Sequence, residues 1–137
     1  MINNKLHLLS ILSILILPSA ADAIQSNNHL SSKHGVTAYT WNSNPSAKDA
    51  NLSKSRYTFN ADRQVTRSRT SMGVYQVKFE GLNCEGGQFT VNAYGGSEYK
   101  SCRIGSWNGK QSCEVSVYCF DAKGNHYDSQ FNLIFID

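Results

Sequence analysis

Four cysteines, four histidines, a cluster of basic side chains and two tryptophans are the residues of this chain able to do chemistry. The cysteines run Cys84-x17-Cys102-x10-Cys113-x5-Cys119, with no C-x2-C pair. Structural zinc sites usually take two ligands from one tight turn, and thioredoxin-like redox pairs need C-x-x-C, so neither chemistry is expected. An even count in an exported chain reads as a disulfide framework. G-x-S-x-G, a phosphate-binding glycine loop and H-E-x-x-H are all absent. No cofactor or metal is therefore expected, and no catalytic residue is assigned. Glu80, Glu85, Glu98 and Glu114 sit at strand ends or on polar faces, where a small domain rarely provides the cleft that a glycosidase pair requires.

Two groups remain as ligand-binding candidates. Arg63, Arg67 and Arg69 alternate within "RQVTRSR", a spacing that would place a basic strip on one strand face, with Tyr57 nearby, for acidic glycans, lipid headgroups or nucleic-acid phosphate. A solvated face that discourages edge pairing is the simpler account of that strip. Trp41 and Trp107 are candidates for stacking on sugar rings, against the commoner role of indoles as core or rim packing.

The elements that must position these residues follow from the N-terminus onward. "MINNKLHLLSILSILILPSAADA" (1–23) has one Lys, an apolar run and an A-x-A end, the form of a bacterial secretory signal peptide. Residues 24–34 are polar and unpatterned, and are expected to form a flexible leader carrying His29 and His34. Cleavage removes Lys5 and Asp22, one charge of each sign, so the mature protein keeps the net +3 of the whole chain. That is too little to argue for nucleic acid from charge alone. The expected location is secreted or periplasmic, with no transmembrane segment after cleavage.

Residues 35–137 read as one domain of short strands separated by turn residues. The expected strands are 35–42, 55–60, 63–69, 73–80, 88–94, 99–107, 113–120 and 127–136, with 43–53 as a loop. About eight strands without a helical period predict an all-β, small antiparallel β-sandwich stapled by two disulfides. In "CEVSVYCF" the period of two puts Cys113, Val115, Val117 and Cys119 on one face, and Cys102 shares a face with Ile104. Asn108-Gly109 is a hairpin signal. Folding that hairpin brings Cys102 opposite Cys119 and leaves Cys113 to meet Cys84. The Cys102–Cys119 bridge is expected to be the more deeply buried, and its loss the more damaging.

The stretches "WNSNPSAKDANLSKSRYTFN", "VTRSRTSMGVYQVKFEGL", "FTVNAYGGSEYKSCRIGSW" and "VSVYCFDAKGNHYDSQFNLIF" together resemble a family of secreted bacterial β-rich modules. Its pattern runs W-x-x-N-P, V-T-R, Y-x-V-x-F-x-G-L, V-x-A-Y-G, C-x4-W and V-x-C-F-D, over about residues 38–136. The family has no settled biochemical function. The resemblance implies an extracellular module whose usual cysteine pair corresponds to Cys102 and Cys119. Cys84 and Cys113 depart from the pattern, as an added bridge would. The expected function is that of a secreted, non-catalytic binding module for an anionic surface, glycan or protein. A small inhibitor or host-interaction protein docking through loop 43–53 is the alternative, and a small hydrolase is a more remote one.

Overall fold

The computed structural model of the protein describes residues 36–137. The expected signal peptide (1–23) and the expected leader (24–34) with its two histidines lie outside the described residues. Eight strands follow: β1 Val36–Asn42, β2 Asp49–Asn51, β3 Val65–Ser71, β4 Val74–Glu80, β5 Gln88–Tyr94, β6 Lys100–Asn108, β7 Ser112–Asp121 and β8 Gln130–Ile136. They form two antiparallel sheets, ordered β1-β8-β5 and β2-β3-β4-β7-β6.

The sheets face each other with the side chains that period-two alternation selects. Tyr75, Val77 and Phe79 of β4 and Cys113, Val115, Val117 and Cys119 of β7 are fully buried. Phe89 of β5 and Phe131, Leu133 and Phe135 of β8 meet them from the other sheet. Ring pairs cross the interior, Tyr75–Phe131 at 5.2 Å and Phe79–Phe89 at 6.0 Å between centroids. Tilted contacts of this kind add to the burial of apolar area.

Both expected disulfides are present, Cys84–Cys113 and Cys102–Cys119, and no cysteine is free. Cys102 pairs directly with Cys119 across β6 and β7. The relative burial is the reverse of the expectation. Cys84 and Cys113 are 1% and 0% exposed, whereas Cys102 is only half-buried. β6 is an edge strand, so its inward side chains are covered from fewer directions. Cys113 instead lies on the interior strand β7, beneath the 81–87 loop.

Two further expectations are corrected. Residues 55–60 do not form a strand. The Thr58 N–H donates to the Ser55 carbonyl at 3.1 Å and the Tyr57 N–H to Ser55 Oγ at 3.2 Å, so the chain turns. Serine hydroxyls compete in this way with sheet pairing. Only Phe59 pairs, as an isolated bridge to Tyr39 on the edge of β1. The missing strand is replaced by β2, inside the expected loop, where Asp49–Asn51 adds to the edge of β3.

Gly73 closes the β3–β4 turn with φ +67°, and a β-carbon there would stand 2.5 Å from the Cys119 carbonyl oxygen and 2.6 Å from the Tyr127 nitrogen. Both neighbours are backbone and cannot swing aside. Gly73→Ala is expected to destabilise the protein by about 3 kcal/mol through left-handed strain and this clash. Chemical denaturation of the two proteins checks the value.

A candidate ligand-binding face

The basic strip is not a surface. Strand alternation does place Arg67 and Arg69 together, but on the inner face, beside Val65. Arg67 is 2% exposed. Its guanidinium donates to the carbonyls of Ala47 and, at 2.6 Å, Asn44, and lies 5.6 Å over the Tyr75 ring. Burial lowers its pKa from the usual arginine value. Arg69 forms a fork on Asp128, with Nε 2.8 Å from Oδ1 and Nη2 2.8 Å from Oδ2. Arg63 precedes β3, is exposed, and donates to the Gly81 carbonyl at 2.9 Å. The three arginines therefore do not present one charged face. Arg67 also anchors residues 44–47 to the sheet, so the 43–53 segment is tied down rather than projecting.

The tryptophans separate. Trp107, 40% exposed, lies in the inward row of edge strand β6 opposite Val115, with its ring 6.0 Å from Phe89. It is a rim residue. Trp41 lies on β1 in the other sheet, where Ala38, Thr40 and Asn42 point inward and Tyr39 and Trp41 outward.

Around Trp41 the outer face of the three-stranded sheet becomes an aromatic ladder. The Tyr57 ring stacks on Trp41 at 4.9 Å and 22°, and the Tyr94 ring of β5 meets Trp41 at 4.9 Å and 51°. Beside them Tyr39 and Phe59 stack at 5.9 Å. Tyr57 and Phe59 remain 42% and 45% exposed, so the ladder is reachable from solvent. The Phe59 bridge creates this arrangement, because antiparallel pairing of Phe59 with Tyr39 brings Tyr57 alongside Trp41.

The Trp41 row continues across the sheet through Asn132 of β8 to Asn92 of β5. Asn92 Nδ2 donates to Asn132 Oδ1 at 3.3 Å. Among the described residues, no further hydrogen bond is made by Asn92 Oδ1 or Asn132 Nδ2. None of these side chains is charged. Burial, and then the neighbouring Tyr57, raise the Tyr94 pKa. The nearby cation Arg56 lies 4.7 Å over the Tyr57 ring and donates to its hydroxyl.

Other surfaces offer less. A shallow depression of about 560 Å³ on the outer face of the five-stranded sheet is lined by Asn51, Thr66, Ser68, Gln76, Lys78 and Glu114 among others. Part of its polar lining is already paired, with Gln76 bonded to Ser116 and Lys78 bridged to Glu80 at 2.8 Å. It also lacks an aromatic ring. Glu85 pairs with Lys110 at 3.4 Å. His126 stacks on Phe120 at 4.8 Å and has no thiol to activate, since every cysteine is bridged. Among the described residues no group of His, Cys, Asp and Glu can hold a metal ion, and no helix is long and apolar enough to cross a membrane.

Of the residues singled out from sequence, Trp41 belongs to the aromatic face, and so does Tyr57, expected beside the arginines instead. Alternation in "VTAYTWN" pairs it with Tyr39, and Tyr94 and the two asparagines share the outward phase of their own strands. Nothing local signals Tyr57 or Phe59 as their neighbours. No protein-family profile, curated protein or solved structure matches the chain.

Proposed function

We propose that this protein is an exported, non-catalytic module that binds a neutral glycan through the outer face of its three-stranded sheet. The observation that carries the reading is the uncharged ladder of Tyr57, Trp41 and Tyr94 running into the Asn132–Asn92 amides. A sugar ring has an apolar C–H face and a rim of hydroxyls. Aromatic rings take the first, and amides, each both donor and acceptor, take the second. The arginine strip gives an anionic ligand little to hold, because Arg67 is buried and Arg69 is neutralised by Asp128; Arg56, over the Tyr57 ring, is the cation beside the ladder. The signal-like N-terminus and two disulfides support export to an oxidising compartment, as does the resemblance to secreted bacterial modules.

Electrophoresis through gels containing cellulose derivatives, xylan, mannan or soluble chitin tests the reading, with heparin and anionic liposomes as the competing class. Retardation by at least one neutral polysaccharide is expected. Trp41→Ala should weaken that binding by at least about 30-fold, the ~2 kcal/mol of an interfacial hot spot, while Trp107→Ala leaves it near wild type. Binding to heparin or liposomes alone, lost in high salt, would replace this reading with an electrostatic one.

A further inference from the structure

The aromatic face does not end at Tyr94. That residue also borders a depression of about 250 Å³ shared with Gly95, Glu98, Tyr99 and Lys100. Glu98 and Tyr99 in turn line a second depression of about 390 Å³ that reaches Asp121, Lys123 and Tyr127. Tyr99 stands between the two, 71% exposed, and the Lys100 ammonium lies 5.0 Å over the Tyr127 ring. Shared lining residues thus link Tyr94 through Tyr99 to Tyr127, and ring contacts link Tyr94 back to Trp41 and Tyr57.

Each depression alone is at or near the lower limit of the roughly 300–1,000 Å³ typical of small-molecule pockets, which also enclose most of their ligand. Neither is a self-sufficient site for a free sugar. In series they suit an extended chain whose successive units lie along Tyr94, Tyr99 and Tyr127. Glu98 and Asp121 balance Lys100 and Lys123 around the two depressions, and Arg56 adds one positive charge at the Tyr57 end, so the path carries little net charge to select an ionic polymer.

We infer that the ligand is an extended neutral polysaccharide, read over several consecutive units, with Tyr99 and Tyr127 forming a distal subsite beyond the Trp41 ladder. This rests on the glycan reading above. It makes binding a function of chain length, since units beyond the ladder add contacts only when the chain reaches Tyr99.

Titration calorimetry with oligosaccharides of two and of six units, prepared from cellulose, chitin, xylan and mannan, tests it. For the series that binds, the six-unit chain should bind about tenfold more tightly than the two-unit chain, as two added ring contacts would supply. Tyr99→Ala, and Tyr99→Ala with Tyr127→Ala, should remove most of that advantage and leave two-unit binding unchanged. The single variant lies at an exposed turn and does not endanger the fold. Equal affinity for both lengths, or a length advantage untouched by either variant, would overturn the distal subsite. If Trp41→Ala still abolished binding in that case, the glycan reading would stand. Failure of every oligosaccharide and polysaccharide to bind wild-type protein would remove both.

Discussion

Asp128→Ala is expected to lower the unfolding free energy by about 3 kcal/mol, among the largest losses from any single polar side chain. The Asp128 carboxylate accepts from Arg69 Nε at 2.8 Å, from the Gly73 N–H at 2.8 Å and from the Tyr75 hydroxyl at 3.0 Å. It therefore ties the chain entering β8 to β3, to the β3–β4 turn and to the core of β4. Removing it strands three donors, two of them attached to buried residues. Asp128→Asn keeps the size but loses the charge that Arg69 requires, so it should recover only part of the loss.

Acid should reproduce the effect. Burial on its own raises the Asp128 pKa, but the hydrogen bonds from Arg69, Gly73 and Tyr75 outweigh it and hold the group below its ordinary value. A depressed folded value means that the contribution is complete above the unfolded value of ~3.9 and is lost as pH falls through the folded one. Glu80 and Asp121 are lowered too, by hydrogen bonds from Lys78 and from Asn125 respectively, so wild type alone does not isolate Asp128. The stability difference between wild type and Asp128→Asn, followed by denaturation from pH 7 down to pH 2, should shrink towards zero below pH 4. A pH-independent difference would show that the charge of Asp128 contributes nothing.

The second large effect separates the two disulfides. Replacing Cys84 and Cys113 together by serine should cost about 4 kcal/mol, and replacing Cys102 and Cys119 about 2–3 kcal/mol. Loop entropy contributes little to this ordering. The loops span 29 and 17 residues, and the chain-entropy expression separates them by only about 0.5 kcal/mol. Packing separates them further. The Cys84–Cys113 bridge is buried at both ends, so serine there places hydroxyls in an apolar interior. It is also the covalent link holding the 81–87 loop over β7. The other bridge duplicates a register that β6 and β7 already make by backbone pairing. Thermal melts of the two double variants should therefore differ by several degrees. Equal shifts, or a larger one for Cys102 and Cys119, would refute the ordering.

Much of this architecture is written into local sequence. Period-two alternation in "VYQVKFE" and "CEVSVYCF" places apolar side chains on one face, and such strands are stable only when that face is covered. The all-β class and the inward sulfurs follow from it. Asn108-Gly109 then sets the hairpin that joins Cys102 to Cys119. The same rule was ambiguous for "VTRSRTS", where both phases are polar apart from one residue. Val65 shares its phase with Arg67 and Arg69, and burial of that valine decided which way the strand faced. A buried guanidinium is tolerated because carbonyls from a distant turn meet it, and no local pattern announces them. The aromatic face was hidden for a related reason. Tyr57, Trp41 and Tyr94 lie on separate segments, and their contact depends on the Tyr39–Phe59 bridge and on β8 pairing with both β1 and β5. Local alternation determined which side of its strand each residue occupies. Long-range backbone pairing decided which of those sides became core, and which became the exposed aromatic face.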